Sequence, residues 1–365
     1  MGHVTIRRVW LKDFRSYEEL ELDFTPGLTA LLGDNGNGKS NLLEAIGFLV
    51  SLKSFRGAPK EALVRAGVDV GFIRAELDDD GREVLIEVEL KSLGSPRVLV
   101  NKQRLGATRE LLGVCSTTIF SPDDLSIAKG SPSLRRELID DLLTAVHPKN
   151  EVVCDDFAKV LKQRNALLKQ CNGRLSSDAQ LTLEVWDERL VEVGERLGGL
   201  RVRILEKLQP LVNDYYTRVS DNSRPIGLAY SSAWRSSGMA ASLAESRRDD
   251  LRRGISTVGP HRDDVMMEID GMNARVQASQ GEQRSLVLAL RLASHELIRQ
   301  ATGTSPILLL DDVFSELDDR RSAALLGALP KCQTILTSAV GIPKGATADA
   351  IYYLNDSTLV EARSS

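Results

Sequence analysis

The sequence predicts an α/β fold in which a mixed sheet packed with helices carries an inserted, mainly helical subdomain. Two observations lead to this prediction. Short β-branched or alternating segments occupy both ends of the chain, whereas the middle is rich in Leu, Glu, Arg and Lys at helical spacing. We therefore expect a head built from residues 1–130 and 255–365, with a helical insertion and its linker at 131–254.

Strand-like segments dominate the first third of the chain. The sequence DDDGRE at 78–83 predicts a hairpin turn, and one helix is expected from Lys39 to about Leu52. The predicted strands lie at 4–11, 17–24, 28–33, 70–77, 83–90 and 97–101.

The middle of the chain has helical spacing from 133 to about 219, with a break expected at 172–173. The Ser-, Arg- and Gly-containing stretch at 231–254 is expected to be a mobile linker. Because glycine and proline weaken helices, the long segment at 177–216 is expected to be interrupted at Gly194, Gly198, Gly199 and Pro210.

Strand and helix signals alternate again toward the C-terminus, which implies a mostly parallel sheet. The expected helices are 279–293 and 319–329, and the expected strands are 265–270, 274–279, 307–312 and 333–338.

The composition limits the possible classes of function. The 365 residues are 42% hydrophobic, which is enough for a sizeable core, and the formal net charge of −4 means that any nucleic-acid site must be a local basic patch. No apolar run is long enough to span a bilayer and no signal core opens the chain, so we expect a cytoplasmic protein without a membrane partner. Reduced thiols without assigned chemistry are expected at Cys115, Cys154, Cys171 and Cys332.

A phosphate-binding loop is predicted where an apolar strand meets a helix, in LTALLGDNGNGKSNLLEAI at 28–46. Its glycines let backbone N–H groups turn toward phosphates, Lys39 is expected to reach the β and γ phosphates of ATP in catalysis, and Ser40 is expected to ligate Mg²⁺. The predicted nucleotide-binding residues here are Gly33, Asp34, Asn35, Gly36, Asn37, Gly38, Lys39, Ser40 and Asn41.

A second part of the same chemistry is predicted at the buried strand PILLLDD, which ends in two carboxylates. Two carboxylates at such a position are costly without a cation. We interpret Asp311 as the Mg²⁺ ligand and Asp312 as the residue that polarises the attacking water.

The sequence SQGEQRSLVLALRLA at 279–293 starts a strongly amphipathic helix with a polar, Gly-containing turn. The free N–H groups of a helix start bind phosphate or are capped, and an ordinary Ser N-cap is the simplest interpretation of this stretch alone. Beside a phosphate-binding loop and an acidic strand, it predicts closure over the γ-phosphate from another subunit, and hence an ATP-dependent homodimer. The predicted contacts are Ser279, Gln280, Gly281, Glu282 and Gln283.

Together these motifs resemble a P-loop ABC-type ATPase head, with 315–318 in the place of the D-loop. A finer resemblance links the chain to the RecF family of bacterial recombination-repair proteins, whose head resembles those of SMC proteins. It is carried by FRSY at 14–17, the phosphate-binding loop, FSPDDLSIAKGSPSLRRELID at 120–140, GPHRDD at 259–264, the helix start and PILLLDDVFSELDDRR.

The resemblance implies an ATP-dependent DNA-binding protein of recombinational repair and replication-fork maintenance. It further implies binding to duplex DNA and single-strand/duplex junctions, and work with RecR and RecO in loading RecA. Arg15 and Ser16 either bring a basic residue to the nucleotide, as in related heads, or form a solvated turn. Candidate DNA-phosphate contacts are Lys53, Arg56, Arg65, Arg201, Arg203, Arg247, Arg248, Arg252 and Arg253.

Departures from the wider cassette pattern predict slow hydrolysis. Asp312 replaces the usual Glu, Thr337 and Ser338 occupy the region of the switch His, and no Gln stands at 118–126. Two alternatives remain open, a short SMC-like structural head and a transporter-type ABC ATPase, although the insertion is too short for SMC arms. The sequence is compatible with either a structural or a functional role for each of Arg135, Arg136, His261, Arg262 and His295.

Overall fold

The computed structural model describes residues 2, 4–106, 109–220 and 223–364. The chain forms two compact units. Unit 1 comprises Met1–Leu125, Asp214–Ser223 and Arg284–Ser365, and unit 2 comprises Ser126–Asn213 and Arg224–Gln283. This grouping places 255–283 with the helical unit, whereas the sequence assigned it to the head; the expected boundaries at 130 and 255 stay a prediction.

The strands are β1 (Val4–Phe14), β2 (Tyr17–Asp23), β3 (Leu28–Leu32), β4 (Val70–Asp79), β5 (Arg82–Lys91), β6 (Arg97–Val100), β7 (Gln103–Arg104), β8 (Thr117–Phe120), β9 (Ile226–Ser231), β10 (Asp264–Ile269), β11 (Met272–Asn273), β12 (Ile307–Asp311), β13 (Thr334–Ser338), β14 (Ala350–Asn355) and β15 (Thr358–Ser364). The helices are α1 (Lys39–Ser51), α2 (Arg109–Leu112), α3 (Leu125–Lys129), α4 (Pro132–Val146), α5 (Asn150–Cys171), α6 (Ser177–Ser220), α7 (Met239–Arg253), α8 (Ala274–Gln277), α9 (Gln280–Thr302) and α10 (Asp319–Ala328).

Unit 1 contains two six-stranded sheets. One is antiparallel, in the order β2-β1-β4-β5-β6-β7. The other has the order β15-β14-β3-β13-β12-β8, and all its pairs are parallel except β14 with β15. The α/β head with mixed strand directions is thus confirmed. Because parallel strands end at the same edge, β3, β12 and β13 bring the segments that follow them together.

One hydrophobic core joins both sheets of unit 1 to α1. It includes Leu31 of β3, Phe48 of α1, Ile73 of β4 and Leu309 of β12, all 1% exposed or less. Helix α1 begins at Lys39 as predicted and ends at Ser51. This apolar packing holds the start of α1 beside the ends of β3 and β12, where the polar residues lie.

The predicted hairpin at 78–83 is present, since β4 and β5 pair antiparallel with Asp79 opposite Arg82. Its turn residues Asp80 and Gly81 both have positive φ, at 49° and 85°. Such angles match the twist of a two-residue hairpin turn.

The expected interruption of the long central helix is wrong, because α6 runs unbroken over 44 residues with Pro210 inside it. Two of its glycines allow close packing. A Cβ added at Gly194 would lie 2.4 Å from Met239 Sδ, and one at Gly198 would lie 2.9 Å from the Trp234 ring. At these two positions Met239 and Trp234 of unit 2 approach α6 more closely than any side chain larger than that of glycine would allow.

Two local predictions are also wrong. Most of the expected linker at 231–254 is helix α7, whose Leu243 and Asp250 are buried. The expected strand at 274–279 is instead helix α8, because the Asn273 side chain caps it by accepting a hydrogen bond from Arg275 N at 3.0 Å. Among the described residues, no helix is long and apolar enough to cross a membrane.

Candidate nucleotide-binding site

The phosphate-binding loop leaves β3 and turns into α1 at Gly38, the residue before the first helical turn. Gly38 has φ 90°, and an added Cβ would lie 2.6 Å from Ser357 Oγ and 2.9 Å from Tyr17 Oη. Tyr17 Oη also donates to Gly38 O at 2.9 Å. The loop therefore needs glycine here for both its backbone conformation and its close neighbours.

Lys39 is buried, with 6% of its surface exposed. Its Nζ donates to Gly33 O at 2.5 Å and to Asp34 O at 2.8 Å. Burial lowers the pKa of Lys39, while Asp312 and Asp311 act in the opposite direction. The ammonium is thus poorly hydrated and held by carbonyl oxygens, an arrangement in which anionic phosphate oxygens would be strong competing acceptors.

Ser40 meets the acidic strand end directly. Its Oγ donates to Asp311 Oδ1 at 2.7 Å, and Thr337 Oγ1 donates to the same oxygen at 2.8 Å. Burial raises the pKa of Asp311, and these two hydrogen bonds oppose that shift. A hydroxyl and a carboxylate in contact are hard oxygen ligands of the kind that Mg²⁺ takes together with phosphates and waters, so Ser40 and Asp311 fit this ion.

Asp312 follows β12 in the left-handed region, with φ 49° and ψ 26°. Its N–H donates to Thr337 Oγ1 at 2.9 Å. Within the part of the chain that the structure describes, Asp312 Oδ1 is buried and has no hydrogen-bond partner. A buried carboxylate oxygen without a donor is costly, which indicates that Asp312 is positioned to meet a water, cation or ligand.

An open cleft lies over these groups. Arg56, which the sequence suggested only as a DNA contact, lines this cleft. Its Nη1 donates to Asn41 Oδ1 at 3.1 Å. The only sequence signal for this role is a basic residue in the loop after α1. The cleft is lined by Asn35, Gly36, Gly38, Lys39, Ser40, Asn41, Arg56 and Asp312.

Arg15 and Ser16 have different surroundings. The Arg15 guanidinium makes two hydrogen bonds of 2.8 Å with the fully buried carboxylate of Glu44 and a third with Ala62 O at 2.9 Å. These three hydrogen bonds use three of the five N–H groups of the Arg15 guanidinium. Ser16 Oγ instead accepts from Asn41 Nδ2 at 2.8 Å and so touches the end of the phosphate-binding loop.

The helix start at 279–283 is capped by its own residues in unit 2. Ser279 N and Ser279 Oγ both donate to Glu282 Oε2 at 2.8 Å, while Arg224 Nη1 donates to Glu282 Oε1 at 2.8 Å. Buried Gln283 anchors the turn, since its Nε2 donates to Ala274 O at 2.8 Å. Ser279 and Gln280 are exposed and Gly281 is partly exposed, so the start remains accessible from solvent.

Several residues whose roles the sequence left open form a structural network in unit 2. Arg135 pairs with Asp264 at 2.7 and 2.9 Å, and Arg136 donates to Asp263 O at 2.6 Å. His261 Nε2 lies 2.9 Å from Ser256 O, and burial lowers the pKa of this His to about 4. These contacts give Arg135, Arg136, His261 and Arg262, which also donates to Ser256 O, a packing role.

The candidate DNA contacts separate by burial. Arg201 is 3% exposed and holds Asp140 in two 2.7–2.8 Å hydrogen bonds, which removes it from any surface. Arg65, Arg247 and Arg252 pair with Asp13, Asp187 and Asp249 respectively. Within the described part of the chain, the exposed candidates that are not seen in such a pair include Arg56, which lines the cleft, and Arg203, Arg248 and Arg253.

Comparisons with known proteins agree with this architecture. The family model described as RecF/RecN/SMC N terminal domain matches residues 5–341. The chain is 39% identical to the DNA replication and repair protein RecF of Streptomyces avermitilis, over 98% of this chain and 99% of that protein. It is 36% identical to the protein of the same name from an Arthrobacter species, over 92% of each.

Solved structures show the same relationship. A structure of "the recombination mediator protein RecF-ATP in RecFOR pathway" superposes with a TM-score of 0.91 at 31% identity, covering 99% of this chain and 98% of the other. The Smc head domain from Pyrococcus furiosus superposes with a TM-score of 0.58 at 19% identity, covering 100% and 97%. The second similarity is one of fold alone.

Proposed function

The chain belongs to the RecF family of RecF/RecN/SMC-type proteins, and from this premise we propose that it is an ATP-dependent DNA-binding switch of recombinational repair and replication-fork maintenance. ATP would bring two copies together, the dimer would hold gapped DNA in the cytoplasm, and slow hydrolysis would release it. RecR and RecO are its proposed partners in loading RecA.

The hydrogen bond of 2.7 Å from Ser40 to Asp311 is the observation that carries the ATP-binding part of this proposal. It joins the phosphate-binding loop to the acidic strand end, 271 residues apart in the chain. Lys39 lines the same cleft and supplies an ammonium for the β and γ phosphates. Mg²⁺, held by Ser40 and Asp311, would neutralise charge on the phosphate oxygens.

Asp312 is the proposed residue that orients the attacking water, because it lines the cleft and its Oδ1 has no hydrogen-bond partner among the described residues. An Asp is one methylene shorter than the Glu usual at this position, so it reaches less far toward a water at the γ-phosphate. We expect turnover well below the median enzyme value of roughly 10 per second. Slow hydrolysis suits a switch whose ATP-bound state must persist.

Ser279 is the proposed contact to the γ-phosphate bound by the opposite subunit. Its Oγ and N–H now donate to Glu282, and Ser279 is exposed, so a γ-phosphate would replace Glu282 as the acceptor of these two donors. Arg224 neutralises Glu282 and lessens its repulsion of a phosphate. ADP lacks the γ-phosphate and should not support this contact.

DNA binding is proposed for the dimer rather than for the single chain. With a net charge of −4, the protein must gather local basic residues before phosphate contacts outweigh repulsion. Arg203, Arg248 and Arg253 are proposed for this role because they are exposed and are not seen paired with a carboxylate among the described residues. Contacts to phosphates would give strong salt dependence and little sequence preference.

Size measurements with and without nucleotide test the dimer. We expect a monomer or weak dimer without nucleotide and with ADP, and a two-fold dimer with ATP and Mg²⁺, by sedimentation velocity. Ser279→Arg should keep ATP binding and lose dimerisation, because the larger side chain fills the phosphate position. A mutant that still dimerises with ATP would show that this helix start does not act across subunits.

A further inference from the structure

We propose that Thr337 is a positioning residue that ties the metal-binding carboxylate of Asp311 to the water-orienting Asp312, in the region where related heads carry a switch histidine. This inference rests on the proposed ATP chemistry of the cleft. It assigns a role to a side chain that the sequence marked only as a departure from the cassette pattern.

The Thr337 hydroxyl lies between two consecutive residues of the neighbouring strand end. It donates to Asp311 Oδ1 at 2.8 Å and accepts from Asp312 N at 2.9 Å. Leu310 O is an alternative acceptor but lies 3.5 Å away, which makes it the weaker one. One hydroxyl therefore uses its single hydrogen on one carboxylate and a lone pair on the backbone of the next residue.

The placement of Thr337 follows from the parallel pairing of β12 and β13, in which Asp311 stands opposite Thr337. Thr337 is fully buried, and Asp311 is 5% exposed. The β-branched side chain of Thr337 has few rotamers on a strand, so the direction of its hydroxyl is well defined. These constraints make the contact a rigid one.

The bond to Asp312 N supports an unusual backbone conformation. Asp312 is not glycine, yet it has φ 49°, which costs energy for most residues. Removing the Thr337 hydroxyl would leave Asp312 N–H without this acceptor and favour relaxation of the turn. The Asp312 carboxylate, whose Oδ1 has no other partner among the described residues, would then shift within the cleft.

A simple structural role is the competing explanation, because buried threonines usually satisfy their hydroxyls. Thr118 of β8 provides the comparison in the same sheet. It is 5% exposed, and its hydroxyl has no partner among the described residues. Thr118→Val therefore reproduces the substitution in the same parallel sheet without touching either carboxylate.

The test compares Thr337→Val and Thr337→Ser with Thr118→Val. ATP affinity without metal, Mn²⁺ affinity in the presence of AMP-PNP by electron paramagnetic resonance, and kcat and KM are measured for each. For Thr337→Val we expect the metal-free ATP affinity to stay close to that of the wild type. Its Mn²⁺ affinity and its kcat should each fall by about tenfold, as is common when a residue that orients a metal ligand is lost. The change in KM should be smaller. Thr337→Ser should restore most of both losses, and Thr118→Val should match wild type.

Equal Mn²⁺ affinity and kcat in Thr337→Val and Thr118→Val would overturn the positioning role, as would a Thr337→Ser variant no better than Thr337→Val. Should Thr337→Val not fold, Thr337→Ala serves as the second variant without the hydroxyl. A wild-type chain that binds no ATP would instead reject the proposed function, and this inference with it.

Discussion

At the residue scale, the cleft shows which residue positions a sequence can predict. Lys39 and Ser40 follow from their spacing after Gly33, because that spacing has one structural solution between strand and helix. Arg56 and Thr337 do not follow from spacing. Each gains its position only from tertiary contacts, with Asn41 for Arg56 and with Asp311 for Thr337.

The surroundings of Arg15 could not be predicted from the sequence. A basic residue after the first strand was compatible with both a nucleotide contact and a solvated turn. The structure adds a third arrangement, an ion pair with Glu44, which is completely buried in α1. Such pairing depends on burial of the acid, and burial of a single Glu in a helix cannot be read from local sequence.

His295 gives a pH-dependent prediction. It is fully buried in α9, neither ring nitrogen has a partner among the described residues, and burial lowers its pKa to about 4. The folded state therefore holds the neutral form, while the unfolded chain takes up a proton near the ordinary histidine pKa of 6.5. Stability should fall as pH decreases from 6.5 toward 4, by on the order of 3 kcal/mol from this group.

Replacing His295 by Leu removes this pH dependence. Because buried ring nitrogens without partners are costly, His295→Leu should also raise the free energy of unfolding at pH 7 by about 1 kcal/mol. Urea unfolding at pH 7 and pH 5 measures both effects. His147, exposed at the end of α4, supplies the control His147→Gln; if both variants keep the wild-type pH slope, His295 is not the group responsible.

At the element scale, helices were predicted well where periodicity decides and poorly where packing decides. Helix α1 and the break after α5 at Asn172 matched expectation, since a P-loop and an Asn in the left-handed region are local signals. Helix α6 did not, because its glycines meet Met239 and Trp234 from distant sequence. Propensity is a weak guide where such tertiary packing is present.

Adjacent glycines of α6 allow a matched test of this packing. A Cβ at Gly198 would lie 2.9 Å from the Trp234 ring, whose Nε1 is held by Asp263, whereas a Cβ at Gly199 meets only Arg203 Nη1 at 3.3 Å. Gly198→Ala should therefore lower the free energy of unfolding by about 1–3 kcal/mol. Gly199→Ala should raise it by up to about 1 kcal/mol, through helix propensity.

Thermal or urea unfolding compares the two variants directly. The same stabilisation in both would mean that the Trp234 ring moves freely, and the account of an unbroken α6 through close packing would lose its support.

At the scale of the whole molecule, the motifs predicted the fold class and the family, but not the division into units. Helices α6 and α9 each contain residues of both units, so no change in composition marks those boundaries. The terminal hairpin of β14 and β15 was also not predicted, although its turn supplies Ser357, which donates from its N–H to Asn37 O at 3.2 Å. The predicted phosphate-binding loop thus contacts the turn between β14 and β15, more than 300 residues away in the sequence.

The central claim is that ATP controls the DNA site through the dimer. The most direct measurement is the affinity for duplex DNA, with ATP and with ADP, of the wild-type chain and of Ser279→Arg. The wild type should bind tightly only with ATP, its affinity should fall steeply as salt rises, and Ser279→Arg should bind weakly with either nucleotide. If the ADP form or the mutant binds DNA as tightly as the ATP form of the wild type, nucleotide does not control the DNA site, and the switch is refuted even though ATP binding stands.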